Sequence, residues 1–343
     1  MTDTPKPHST MISVVVPVYS GSDYLEALVA ALDGLRRDWL AQGAPFALAE
    51  AILVDDAAID DSGAKIDRLA REHPWIVPLH LSRNFGQHPA TIVGILHSSG
   101  DWVVTMDEDL QHRPEVIPRL LREAVGQHAD IVYARPASAV HEAAMRDWTS
   151  RSFKRVMQWL TDNPNLSSFN SFRLIRGPLA RAAASVCSHD TYLDITLGWF
   201  TQSIRALNVE MKDERYIRTG RSGYGLKSLL SHGWRMIFSS QIKLLRIGAV
   251  LGLGAMLFSV LAGIYFLTVR LFFPMDIQVQ GWTSLFLAIM FFGGLSTFML
   301  GIALQYLSSM VLRAHGKPTF FTIDRSGDAA AARWLDARPD PHP

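Results

Sequence analysis

The sequence predicts an α/β protein, with a mostly parallel sheet covered by helices on both faces and two transmembrane helices after it. Three observations predict this. From Met11 to Tyr133, short apolar runs rich in β-branched residues alternate with helical stripes. Two of the runs end in clustered acids, Asp55-Asp56 and Asp107-Glu108-Asp109. Such ends are where open α/β sheets bind ligands. The last third of the chain then changes character, with two long stretches that carry no charge.

The elements follow in order. Met11 to Val18, MISVVVPV, is a continuous apolar strand closed by Pro17. Leu25, Leu28, Val29, Leu32 and Leu35 form a helical stripe over Ser20 to Leu35, with Ser20 or Ser22 as N-cap. Ala51 to Val54 is a second buried strand and Ser62 to Ala70 a helix. Val77 to Leu81 is a third strand, leading into Ser82-Arg83-Asn84-Phe85-Gly86. Pro89 to His97 is a helix with proline in its first turn. Trp102 to Met106 is the central strand, Pro114 to Val125 a helix and Ile131 to Tyr133 a strand. Arg135 to Lys154 reads as a loop leading into a helix over Trp148 to Leu160. Gly225 to Lys243 mixes Leu, Ile, Trp and Phe with Lys, His and Arg, the pattern of amphipathic helices lying on a membrane surface.

Between Arg246 and Arg270 lie about 23 uncharged residues, and from Gly281 to Leu312 about 30 more. These give membrane helices over 244–273 and 281–313. Lys243 and Arg246 precede the first, Arg313 and Lys317 follow the second, and the connection between them carries no Lys or Arg. The positive-inside rule then puts both termini and the large N-terminal domain in the cytoplasm. Residues 1–10 read as a disordered lead-in with no signal peptide, 314–325 as a short strand-like cytoplasmic segment, and 326–343 as a disordered tail. A net charge of +1 gives no general pull toward nucleic acid. The single cysteine, Cys187, excludes an intramolecular disulfide framework and a cysteine metal cluster. The histidines show no metal-ligand spacing, and only His112 lies near the acidic turn.

Asp107 and Asp109 share a face if the strand stays extended. Two carboxylates there call for a cation, and a hard ion such as Mg²⁺ or Mn²⁺ keeps coordination places for a diphosphate. Glu108 is expected to face the other way.

With these pieces placed, the chain resembles the polyisoprenyl-phosphate glycosyltransferases of glycosyltransferase family 2. The resemblance is carried by VVVPVY (Val14–Tyr19), VDD (Val54–Asp56), SRNFGQHPA (Ser82–Ala90), DEDLQ (Asp107–Gln111) followed by Pro114-Glu115, SFRL (Ser171–Leu174) and R-x-G-x-S-x-Y (Arg218–Tyr224), in the family's order and with two spans after them. It implies a GT-A fold, Rossmann-like, over 11–224, a nucleotide-sugar donor (a UDP- or GDP-sugar), Mg²⁺ or Mn²⁺, and a polyprenyl phosphate acceptor such as undecaprenyl or dolichyl phosphate. It also implies residence in the cytoplasmic (inner) membrane and self-association. Pro17, Tyr19 and Asp55 or Asp56 are then expected at the base and ribose, and Arg83 at the donor pocket or in an ordinary turn. Asp109 is expected to ligate the metal with Gln111, and Asp107 to meet ribose or a metal-bound water. Arg173 and Arg218 or Arg221, with Ser222 and Tyr224, are expected to hold the acceptor phosphate. Asp190 or Asp194 is a further carboxylate near Tyr192 that could reach the sugar or cap a helix. The chain departs from the family at Ser20-Gly21 (often Asn-Glu), Ala57 (often Gly), His112-Arg113 (often Asp-Pro), Ser171 (Asp in some members) and Ser222-Gly223-Tyr224 (often Ser-Lys-Tyr). The rival readings are a processive polysaccharide synthase, whose Q-x-x-R-W motif is missing here, and a membrane scaffold that binds a nucleotide sugar without turnover.

Overall fold

The computed structural model of the chain describes residues 10–136, 169–187, 192–209, 242–272, 281–314, 316 and 328–337. Among them, seven strands form one sheet in the order β3-β2-β1-β4-β6-β5-β7. The strands are β1 (Thr10–Val18), β2 (Phe46–Asp55), β3 (Ile76–His80), β4 (Trp102–Thr105), β5 (Ile131–Pro136), β6 (Arg173–Arg176) and β7 (Ile204–Val209). β1 pairs in parallel with both β2 and β4, β2 with β3, and β5 with β7. Only β6 runs against its neighbours, β4 and β5. The mostly parallel α/β architecture read from the sequence is therefore observed.

Helices α1 (Leu25–Ala41), α2 (Ser62–Glu72), α3 (Gln87–His97), α4 (Ile117–Gly126), α5 (Gly177–Ser185) and α6 (Leu193–Phe200) cover the sheet. Alternation along each strand sends side chains to two cores. Val14, Val16, Leu53, Val104 and Leu174 meet α1 and α4 on one face. Val15, Ile52, Val54, Val103 and Ile175 meet α3, α5 and α6 on the other. Gly94 lets α3 lie flat on the sheet, since a Cβ there would come within 2.3 Å of Val15 Cγ1.

Pro17 sits inside a central strand without breaking it, and the register explains how. The ladder to β4 ends at Val15 opposite Thr105, and Val15 O accepts the Met106 N–H. Position 17 turns its nitrogen toward the same side, where β4 has already ended, so no bond is lost. The chain winds outward from β1 to β2 and β3, then returns to place β4 on the other side of β1. The carboxyl ends of β1 and β4 therefore flank a topological switch point, the usual binding crevice of such sheets.

α7 (Ile242–Phe272) and α8 (Trp282–Ala314) form a helical hairpin with stretches of 20 and 21 residues, Val250–Val269 and Ser284–Leu304, long and apolar enough to cross a membrane. Large apolar side chains such as Leu251, Leu261, Tyr265, Phe292 and Leu300 are exposed on its outside. Residues Asp328–Asp336, expected to be disordered, instead form a helix, α9. Its Ala331 and Leu335 are buried in the first core, and Trp334 meets the Phe46 ring edge-on at 5.6 Å. The apolar spacing of Ala331, Trp334 and Leu335 carried that signal, but it spans barely two turns of an Ala- and Pro-rich tail. The expected helix at Trp148–Leu160, most of the amphipathic segment 225–243 and the strand-like piece at Pro318–Ile323 lie outside the described residues.

Candidate active site

The loop after β1 and the turn after β4 meet at the switch point. Tyr19 is half exposed there, at the mouth of the crevice. Pro17 lies beneath it, buried in β1. The loop Tyr19–Ser22 is held from the α2 side: the Gly21 N–H donates to Ser62 Oγ (3.2 Å), the Ser22 N–H to Asp60 Oδ2 (3.1 Å), and Lys65 Nζ to the Ser22 carbonyl (2.7 Å).

The acidic turn is tightly wired. The Asp107 carboxylate accepts from Gln87 Nε2, at the start of α3, and from the Ser171 hydroxyl at 2.9 Å. Ser171, where some members of the resembled family carry Asp, thus supplies a donor in place of a second carboxylate. Asp109 is 9% exposed, and its Oδ1 accepts the Gln111 N–H at 3.3 Å. Between them Leu110 adopts φ +60°, a left-handed conformation that costs a non-glycine residue about 1 kcal/mol and folds Gln111 back beside Asp109. The two residues named as metal ligands thus meet through the Gln111 backbone N–H.

His112 closes the turn. Its Nδ1 accepts the Asp107 N–H at 2.9 Å, so the ring carries its proton on Nε2, and it stacks on Phe172 with centroids 4.9 Å apart. Burial lowers its pKa, outweighing the attraction of Asp107 and Asp109. Sequence reading noticed His112 only for its nearness. Its structural part could be found only by knowing that the chain turns back within five residues.

Asp55 and Asp56 serve the scaffold first. Asp55 Oδ1 accepts the Ala58 N–H (2.7 Å), and Oδ2 bonds His80 Nδ1 (2.9 Å). Asp56, 2% exposed, accepts the N–H groups of Phe85 (2.7 Å) and Gly86 (2.8 Å). Asp56 thus anchors the loop after β3 to the end of β2. Arg83 on that loop is exposed, with its guanidinium 4.4 Å over the Phe85 ring.

Arg173 is likewise enclosed. It was expected to grip an acceptor phosphate, yet it is 4% exposed and ion-paired to Asp194, which also accepts from Tyr133 Oη at 2.7 Å. Alternation in β6 explains this: Phe172 and Leu174 face the first core, so Arg173 must face the second. Burial is the largest single influence and opposes its charge, but Asp194, Tyr133 and Tyr192 together outweigh it and hold the guanidinium protonated. Burial, and then Asp194, push the Tyr133 hydroxyl well above its ordinary range. Asp194 is thus the counter-ion of Arg173 and the hydrogen-bond acceptor of Tyr133. Asp190, Arg218, Arg221, Ser222 and Tyr224 lie outside the described residues.

The family model described as "Glycosyl transferase family 2" matches residues 13–177, which contain the switch point, the loops after β1 and β3 and the acidic turn. Similarity to curated proteins extends further. The chain is 25% identical over 318 residues to the undecaprenyl-phosphate 4-deoxy-4-formamido-L-arabinose transferase of Shewanella sediminis (strain HAW-EB3), covering 91% of this chain and 92% of that one. It is 29% identical over 312 residues to the protein of the same name from Pseudomonas aeruginosa (strain LESB58), covering 91% and 89%. Among solved structures it matches glucosyl-3-phosphoglycerate synthase from Mycobacterium tuberculosis in complex with UDP at a TM-score of 0.46 and 16% identity, over 68% of this chain and 81% of that one. With an acidic strand-end turn at the crevice of a mostly parallel α/β sheet, and with residues 13–177 matching the glycosyl transferase family 2 model, the chain is a glycosyltransferase.

Proposed function

We propose that this enzyme moves a sugar from a nucleoside diphosphate sugar to a polyprenyl phosphate at the cytoplasmic face of the inner membrane. One observation carries the acceptor: the alignment with the undecaprenyl-phosphate transferases leaves out under a tenth of the chain. A gap that small at either end cannot exclude Val250–Val269 or Ser284–Leu304, so both apolar helices belong to the likeness.

The chemistry fits the site. A phosphate monoester has its second pKa near ~6 and is largely dianionic at neutral pH. Its oxygen attacks the anomeric carbon without a strong general base, so Ser171 in place of a carboxylate is no obstacle. The bond from the anomeric carbon to the diphosphate oxygen breaks on the opposite face, the nucleoside diphosphate departs, and configuration inverts. Asp109 and Gln111 offer hard oxygen donors that suit Mg²⁺ or Mn²⁺. Among the described residues no three acidic, histidine or cysteine side chains could hold an ion by themselves. The remaining coordination places would fall to diphosphate and water, the usual arrangement for Mg²⁺. When bound, such an ion neutralises charge gathering on the departing diphosphate. Tyr19, over Pro17, receives the nucleoside, and Arg218, Arg221, Ser222 and Tyr224 are the proposed grip on the acceptor phosphate.

The test is a donor screen. Purified protein is given undecaprenyl phosphate, Mg²⁺ or Mn²⁺ and a panel of UDP- and GDP-sugars, and release of nucleoside diphosphate and lipid-linked sugar are measured. At least one donor should give both. Asp109→Ala should abolish both while the protein stays folded and membrane-bound. Silence with every donor would favour the non-catalytic scaffold, and turnover surviving in Asp109→Ala would remove the metal role.

A further inference from the structure

The switch point is a gap between two strand ends, and one side chain crosses it. Glu108 comes from the turn after β4 and is 9% exposed. One carboxylate oxygen accepts the Tyr19 N–H at 2.8 Å, and the other accepts the Ser20 N–H at 3.2 Å. These are charge-assisted bonds to two successive amides of the loop after β1. The fit is tight beside it: a Cβ at Gly21 would stand 3.0 Å from Glu108 Oε2, 3.1 Å from its Cδ and 3.2 Å from Val18 Cγ1, so the carboxylate would have to shift.

The loop is therefore held twice. From the α2 side, Ser62, Asp60 and Lys65 hold Gly21 and Ser22, and the Ile59 N–H donates to the Tyr19 carbonyl at 3.1 Å. Glu108 fixes the near half of the loop to the acidic turn. Only the second attachment joins Tyr19, where the nucleoside is proposed to lie, to Asp109, where the diphosphate end is proposed to lie. We infer that Glu108 is a positioning residue for the donor, clamping the nucleoside loop to the diphosphate turn and so setting the spacing between them. The inference rests on the donor reading above. It also predicts that losing Glu108 leaves the fold standing, because the α2-side bonds and the β1–β4 ladder remain.

Two measurements on the full-length protein test it. Amide exchange of residues 19–24 without nucleotide reads the clamp alone. Calorimetric titration with UDP and with GDP, each with MgCl₂, reads its consequence. Glu108→Ala should speed exchange at Tyr19 and Ser20, and should weaken binding of whichever nucleotide the wild type takes by about tenfold or more. Glu108→Gln keeps one acceptor oxygen and should fall between. Gly21→Ala displaces the same carboxylate and should act in the same direction. The double variant Glu108→Ala/Gly21→Ala should be no weaker than Glu108→Ala alone, because both changes break one contact. Unchanged exchange and affinity in Glu108→Ala would overturn the inference, as would single effects that add in the double. Should Glu108→Ala fail to fold, Glu108→Gln and Gly21→Ala decide in its place. A wild type that binds neither nucleotide would overturn the donor reading and this inference with it, while the exchange result still shows whether the clamp exists.

Discussion

Ala57 stands where the resembled family often has Gly, and it adopts φ +51°. That is the left-handed region, which an L-residue with a Cβ enters at a cost of about 1 kcal/mol. Asp55 Oδ1 holds the conformation through the Ala58 N–H. Ala57→Gly should therefore raise thermal stability by up to about 1 kcal/mol, read as a higher unfolding midpoint. A lowered midpoint would mean that Gly frees the unfolded chain by more than the strain it relieves. His80, behind Asp55, sets a pH dependence. The Asp55 hydrogen bond raises its pKa against a smaller opposing effect of burial, with Asp67 on its other nitrogen. A histidine with a raised pKa stabilises fully below its unfolded value, near ~6.5, and loses that stabilisation as pH rises through the folded value. The midpoint difference between wild type and His80→Gln should then be largest at about pH 5.5 and shrink by about pH 8. A difference that stays flat across this range would exclude the His80–Asp55 pair as its source. At this scale the sequence showed which residues are acids at strand ends. It could not show whether an acid meets a ligand or a backbone amide. Asp56 and Glu108 both meet amides, because each faces a loop that arrives from elsewhere in the chain. Gly21, in place of the family's Glu, became intelligible only beside Glu108.

The α7–α8 hairpin shows the same contrast among elements. A Cβ at Gly252 would stand 2.6 Å from the Phe298 nitrogen, and one at Gly294 2.7 Å from the Met256 nitrogen. Backbone meets backbone at both crossings, and Ser259 Oγ adds a bond to the Leu287 carbonyl at 2.9 Å. Next door, a Cβ at Gly293 would meet nothing within 4 Å. Gly294→Leu should pry the helices apart and lower the thermal midpoint in detergent, whereas Gly293→Leu should leave it nearly unchanged. Equal effects would mean that helix propensity, and not contact, decides. Long periodic elements were readable because their burial pattern repeats: β1, the strand before the acidic turn, α1, and both spans. β6, β7, α5 and α6 were not read. Their runs are short, and Arg173 and Arg176 interrupt the apolar pattern of β6, because each arginine is buried against a distant carboxylate, Asp194 or Asp130.

Those buried arginines tie the molecule together at its largest scale. Arg176 bonds Asp130 at 3.1 Å, lies 4.5 Å over the Trp102 ring and also pairs with Asp328 at the start of α9. Farther along α9, Arg122 donates to the Leu335 carbonyl at 3.4 Å. The polypeptide thus leaves the catalytic sheet, runs through two helices long enough to span a membrane, and returns to the same sheet. A segment docked on the catalytic domain must lie on that domain's side, so the docking predicts an even number of crossings between them. Composition alone could not show this return, because the contact joins residues more than 150 positions apart. Cutting the chain after residue 327 would uncover Phe46 and take one carboxylate from a buried guanidinium, and it should lower the unfolding midpoint. Asp328→Ala should reproduce part of that loss, about 1–3 kcal/mol for a charge-assisted bond with Asp130 still in place. Tags placed before Met1 and after Pro343 should be cleaved together in inside-out membrane vesicles and protected together in right-side-out ones. Opposite protection of the two tags would require α9 to leave the sheet, and would refute both the docked tail and the two-span path.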